Sequence, residues 1–378
     1  MRRRLILVLT AASLAGCGGD GPMSIADGPV LVNLDEPPPD RLSHMRLLEW
    51  DTSAESIRYN ERVVPYDLNT PLFSDFSLKA RAIYVPEGQT IAYAADGPLD
   101  FPVGTVIVKT FYFADDLREP TENVRLIETR VLRHTESGWD AWPYIWNEEG
   151  TEAFLQPGGE TRAITFIDPV GESRTANYLI PQRNQCRSCH ERLVGEGGRP
   201  ALIPIGPAAR HLNRDYAYDG GSANQLQHLA DLGMLEGLPA QDQVPAAYDF
   251  QAVVEAGAMG IPAEDVERAA RDYLDINCAH CHDPRGTQGV TSQLFLHHDN
   301  DDPFRLGICK RPGSAGAGTG GRTYDIVPGS PDASILVFRV ETTEVGAMMP
   351  LLGRSVRHDE GAALIRRWVA SMDPQACE

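Results

Sequence analysis

The 378-residue chain predicts a multidomain α+β protein, an N-terminal antiparallel, β-rich, sandwich-like module followed by mainly α-helical units. Three observations carry this. Between residues 55 and 180, short runs rich in β-branched and aromatic residues alternate with Gly, Pro and Asp turns. From residue 181 onward, apolar residues recur at the 3, 4, 7, 8 spacing of amphipathic helices. Within that second part stand two Cys-x-x-Cys-His motifs, "CRSCH" at 186–190 and "CAHCH" at 278–282.

Residues 1–16 carry Arg2, Arg3 and Arg4, then an apolar run from Leu5 to Leu14, then small residues, which is the layout of a secretory signal. Leu14-Ala15-Gly16-Cys17 resembles the lipobox of bacterial lipoproteins, which implies cleavage before Cys17 and lipidation of that residue; the other reading is an ordinary cleaved signal. Gly18, in place of Asp, resembles the Gram-negative pattern for the outer membrane. The apolar run is too short to span a bilayer, and no later run reaches about 18 apolar residues. The expectation is an exported protein, lipid-anchored on the periplasmic side. Residues 17–44, rich in Gly, Pro and Asp, are expected to be a flexible tether without a fixed fold.

Asp and Glu number 53 against 34 Lys and Arg, for a formal charge of −19. That balance argues against nucleic acid and anionic headgroups as partners, and it would steer in a partner with a basic face.

Residues 45–180 form the expected β module, with strands read at 105–113 ("TVIVKTFYF"), 125–134 ("RLIETRVLRH") and 161–168 ("TRAITFID"). Trp139, Trp142 and Trp146 cluster in "GWDAWPYIW" and read either as aromatic core or as a sugar platform or electron relay. Residues 181–255 and 256–378 are the two expected helical units, each with one Cys-x-x-Cys-His motif. Helices are read at 222–234, 262–277 and 359–372, the second opening with Pro262 and running directly into Cys278.

C-x-x-C-H is the attachment signature of c-type haem. Two thiols about one helical turn apart reach the haem vinyl groups, and the adjacent imidazole then lies under the iron. Zinc ribbons want their pairs about 15 to 20 residues apart, a thioredoxin motif occurs once after a strand, and disulfides within the pairs leave both histidines unexplained. The reading is therefore two covalent haem c groups, held by Cys186 and Cys189 and by Cys278 and Cys281, with His190 and His282 as axial ligands. Cys309 and Cys377 are left over, and in an oxidising compartment they are expected to pair.

For the second iron, "GAMMPLLG" (346–353) supplies Met349 as sixth ligand, with Met348 as the alternative. For the first, Met234, His211 and an open iron all stand as readings. His228 projects away from the apolar face of its expected helix and reads as exposed. His280 reads as solvated or propionate-contacting.

A helix leading into C-x-x-C-H, Gly-rich loops, a Met-Pro loop and a closing amphipathic helix make the second unit resemble a class I cytochrome c fold. Further stretches, "PYDLNTPLFSDFSLKAR" (65–81), "PVGTVIVKTFYF" (102–113), "RLIETRVL" (125–132), "PIGPAARHLNRDY" (204–216), "NCAHCHDP" (277–284) and "DIVPGSPDASILVFRVETTEVGAMMPLLGR" (325–354), resemble a family of bacterial diheme c-type cytochrome lipoproteins. The resemblance spans residues 45 to 370. It implies two haems joined to a β module, an electron-transfer role, and a parallel β-helix protein as a partner. The expected function is transfer of electrons between periplasmic redox partners. Two other readings stand beside it: a diheme peroxidase-like oxidoreductase with one open haem, and a β module that binds polysaccharide or a dehydrogenase with the haems as electron outlet.

Overall fold

The computed structural model describes residues 21–287, 290 and 292–378. The signal segment and the Cys17 lipidation site lie outside the described residues. No described helix is long and apolar enough to cross a membrane.

The chain is a mixed fold of antiparallel sheets and helices. Strands β1 (Leu48–Asp51) and β2 (Ser56–Tyr59) pair as a hairpin. The main sheet takes β3 (Val63–Tyr66), β4 (Leu78–Tyr84), β6 (Val106–Phe113), β7 (Arg125–Thr135), β8 (Gly138–Trp146) and β9 (Ala153–Leu155), in that spatial order and antiparallel throughout. Strand β5 (Ile91–Ala92) stands outside it, and β10 (Glu160–Ile167) and β11 (Ser173–Ile180) form a second hairpin.

The central strand β6 reads Val-Ile-Val-Lys-Thr-Phe-Tyr-Phe, apolar on both faces, so both faces of the sheet need cover. On one face, Val63, Ala82, Val106, Val108 and Val131 pack against Leu42, Met45 and Leu47. On the other, Phe111, Phe113 and Ile145 meet Ile164, Phe166 and Tyr178 of the β10–β11 hairpin. The same face also packs Ile83, Ile107 and Leu132 against Leu226, Leu229 and Leu235. The module is thus one large sheet with a hairpin laid on it, not a sandwich of two matched sheets.

Two expectations about organisation are corrected. Residues 21–44 are not a loose tether: Leu31 N donates to Met45 O, Arg133 Nη1 donates to Asn33 O and Glu36 O, and Tyr144 Oη donates to Pro39 O. The β module supplies partners for this segment's backbone carbonyls, and that lays it along the sheet.

Residues 181–255, expected to be mainly helical, mix short helices with two hairpins. They contain α1 (Arg187–His190), the pair β12 (Glu191–Val194) and β13 (Arg199–Leu202), α2 (Ala209–Leu212), the pair β14 (Asp215–Tyr218) and β15 (Gly221–Asn224), α3 (Gln225–Asp231) and β16 (Leu235–Glu236). The helix read at 222–234 begins only at Gln225. Gly221–Asn224 pairs with Asp215–Tyr218, and Asn224 then caps α3 by accepting from Leu226 N and Gln227 N. Gly233, at φ 66°, marks the turn that follows. This region has no core separate from the sheet, since β16 pairs in parallel with β5 and its apolar side chains join the sheet's cluster. His228, read as exposed, is half-buried and stacked on Tyr218 with ring centroids 3.7 Å apart.

The last third is helical, with α4 (Phe250–Ala256), α5 (Val266–Leu274), α6 (Pro303–Leu306), α7 (Ile335–Glu341) and α8 (Asp359–Ser371). Val266, Ala269, Ala270 and Tyr273 of α5 share one core with Ala362, Ile365, Trp368 and Val369 of α8. The apolar stripes legible in both sequences are the faces that meet. Cys309 and Cys377 form a disulfide with Cα atoms 5.1 Å apart, tying the chain end beyond α8 to the loop after α6.

Candidate haem sites

A 3-10 turn at Arg183–Cys186 passes directly into α1, so Cys186 and Cys189 fall about one turn apart and His190 follows at the helix end. The His190 Nδ1 lies 2.8 Å from Ile203 O, which takes the proton of that nitrogen and leaves Nε2 as the free ligand atom. Burial pushes the imidazole down to about 4, so it is neutral at pH 7, as an iron ligand must be. Cys186 and Cys189 are free thiols; burial pushes both up, Cys189 to about 11.

At the second motif, α5 runs into a π turn at Asp275–Ala279 that delivers Cys278, with Cys281 and His282 just beyond. The His282 Nδ1 lies 3.2 Å from Ser292 Oγ. Burial holds this imidazole at about 4 and pushes the Cys278 thiol up to about 12.

Each motif opens onto a cavity. The first, about 130 Å³, has Cys186, Cys189 and His190 on one wall and Ile107, Lys109, Phe111 and Arg130 of the sheet on another. The second, about 590 Å³, is lined by Cys278, Cys281 and His282 together with Leu336, Val340 and Met349. The second falls within the roughly 300–1,000 Å³ of ordinary small-ligand sites, and the first is narrower. Among the described residues, no three His, Cys, Asp or Glu side chains converge as a metal-ion site.

Met349 reaches the second cavity because its loop is pinned from both sides. Met349 N donates to Arg339 O at 2.9 Å. Arg354, only 6 % exposed, donates through Nε to Met349 O and through Nη2 to Arg339 O and Thr342 O, each at 2.9 Å. Asp75, from the β module, accepts from Ser355 N and Val356 N at 2.5 and 3.0 Å. Met348 is not among the residues lining this cavity.

The first cavity corrects both chain ligands read for it. Met234 is 1 % exposed and packed among Leu226, Leu229 and Leu235, so its side chain is spent on the core. His211 is also 1 % exposed, with Nε2 3.6 Å from Asp275 Oδ2, and faces a separate polar cleft shared with Arg192 and His297. Neither lines the cavity of His190. His280, read as solvated or propionate-contacting, is 6 % exposed and lies between the two cavities, where burial holds it at about 4.

The two motifs touch. Cys281 Sγ donates to Ser188 O at 3.3 Å and Thr287 Oγ1 donates to the same carbonyl at 3.1 Å. Cys189, Asn277, His280, Pro350 and Leu352 line both cavities at once. Asn277, buried there, accepts from Phe73 N of the β module at 2.8 Å.

The tryptophans form no open platform. Trp146 is buried with Nε1 donating to Thr129 Oγ1, Trp139 is stacked on His134, and Trp142 lies under the Arg183 guanidinium at 3.6 Å.

Sequence reasoning missed Asp75, Arg354 and the cationic residues of the sheet face. A signal existed for Lys109, the single charged residue of β6. No known protein family, curated protein or solved structure matches this chain.

Proposed function

We propose that the chain is an exported, lipid-anchored diheme c-type cytochrome that passes electrons between periplasmic redox partners. The observation that carries the reading is the shared wall: two Cys-x-x-Cys-His motifs in contact, with cavities that have five residues in common. Cys186, Cys189 and His190 would hold the first haem, and Cys278, Cys281, His282 and Met349 the second. A haem bound in this way supplies a one-electron iron couple. The protein positions the two groups as neighbours, keeps both imidazoles neutral and covers them with apolar side chains.

The second site supports the likeness to class I cytochromes, since α5 leads into its motif, α8 packs on α5 and the Met-Pro loop closes the far side. Met349 at this site would raise the potential of a bound haem above that of a bis-histidine iron. The acidic surface charge favours a donor or acceptor with a basic face, and the sequence resemblance makes a parallel β-helix protein one such partner.

The test is covalent haem stoichiometry by pyridine haemochromogen together with quantified electron paramagnetic resonance of the oxidised holoprotein. Two covalent haems per chain are expected, with a low-spin signal from the iron held by His282 and Met349. Fewer than two covalent haems would overturn the reading.

A second reading, a peroxidase-like enzyme, draws on one observation: neither Met234 nor His211 reaches the first cavity. It predicts one high-spin ferric signal and turnover of peroxide.

A further inference from the structure

We propose that Arg81, Lys109 and Arg130, three cations side by side on the sheet face, bind the propionate carboxylates of the first haem, which makes the β module half of that haem's site. The inference rests on the diheme reading. Strand register places Arg81 directly opposite Lys109, and Lys109 directly opposite Arg130, on three adjacent strands. Like charges in directly opposed positions repel, so such a row is destabilising unless an anion compensates it. All three side chains line the cavity that contains Cys186, Cys189 and His190.

The neutralisation available within the chain is incomplete. Arg130 is matched by Glu128, with contacts of 2.6 and 2.9 Å. Arg81 has a side chain only 3 % exposed; its Nη1 pairs with Asp67, which is itself 44 % exposed, while Nε and Nη2 are buried with no partner. Lys109 has no hydrogen bond or ion pair among the described residues and only overlies the Phe111 ring at 4.8 Å. Burial and the neighbouring Arg81, Lys79 and Arg130 push the Lys109 ammonium well below its usual range, outweighing the opposing pull of Glu128. The described walls of the cavity contain no Asp or Glu.

A ligand that fits must be apolar over most of its surface, to match Ile107, Phe111, Leu132 and Leu352, and must end in carboxylates that reach the cationic row. A haem attached through Cys186 and Cys189 meets that description, because its two propionates lie on the edge away from the vinyl attachment points. Carboxylates accepting from the free Arg81 nitrogens and from Lys109 are charge-assisted bonds, among the stronger polar contacts a protein makes.

The experiment compares wild type with Lys109→Met, Lys109→Arg and Arg81→Met in the haem-loaded protein. Haem is counted first; then the propionate bending bands in the resonance Raman spectrum and the midpoint potential of the first haem are measured. The expected result for Lys109→Met is two retained haems, a shifted propionate band and a lower midpoint potential, since removing a nearby cation favours the ferric state. Lys109→Arg restores both signals. Arg81→Met shifts the same band, and if it fails to fold, the Lys109 pair of variants decides the matter. An unmoved propionate band with both haems present overturns this proposal alone. Conversion of the first iron to high spin in Lys109→Met, with that band unmoved, also overturns it by making the amine an axial ligand. A wild-type chain without haem at Cys186 and Cys189 overturns it together with the diheme reading.

Discussion

Single side chains set the chemistry of both sites through the partners they hold. Arg354 spans three carbonyls around Met349, and no other side chain type offers that planar fork of donors. In Arg354→Gln the loop should slacken, and the methionine-to-iron charge-transfer band of the oxidised holoprotein should weaken while His282 ligation persists. Asp275 shows a different balance. Burial would raise its carboxyl, but the His211 hydrogen bond and the Arg210 guanidinium outweigh that and hold it at about 2, against 3.8 for the free group. Because the folded value lies below the unfolded one, the contribution to stability is fully present above about pH 4 and lost as pH falls through 2. Asp275→Asn should therefore unfold about 2 kcal/mol more easily at pH 7, and the gap from wild type should close in denaturant titrations taken from pH 4 down to pH 2.

Elements meet where a residue type permits close approach. Gly361 lies on the α8 face against Tyr273 of α5, and a Cβ there would collide with the Tyr273 ring. Since α5 leads straight into Cys278, overpacking at this contact acts on the second candidate haem site as well as on the core. Gly361→Ala should destabilise by about 1–3 kcal/mol, measured by chemical unfolding, despite the better helix propensity of Ala. An unchanged or raised unfolding midpoint would show that α8 can shift without strain. The short helix α3 obeys another logic: a four-residue strand and an Asn cap decide its start, although the apolar spacing alone extends further back.

Across the whole molecule, the β module and the segment of the first candidate haem site cannot be pulled apart as separate bodies. Leu235 is 5 % exposed, lies in β16 beside Ile91 and belongs to a cluster contributed by both regions. Leu235→Ala should cost about 2–5 kcal/mol. It should also raise amide hydrogen exchange together in residues 83–107 and 226–244, because one cooperative unit contains both. Exchange raised in only one of the two would mean that the shared cluster does not couple them. The same continuity brings Asp75 to the Met349 loop and Phe73 to Asn277, so the β module touches both candidate haem sites.

Much of this was legible in residue order. The β6 and β7 runs, α5 and α8 announce themselves because their periodicity is local and each buries a face that its own spacing defines. The Cys-x-x-Cys-His motifs are equally local, since thiol, thiol and imidazole must share one turn, and Met349 is flagged by the Pro350 beside it. Partnerships between distant segments were not legible. That Met234 is core, that His211 answers to Asp275, that residues 21–44 lie on the sheet, and that Arg81, Lys109 and Arg130 stand in line all depend on contacts between residues far apart in sequence. Strand register and packing select those contacts, and no spacing along the chain encodes them. The two motifs stand nearly ninety residues apart in sequence, and only the shared core of the tertiary structure brings Cys281 against Ser188.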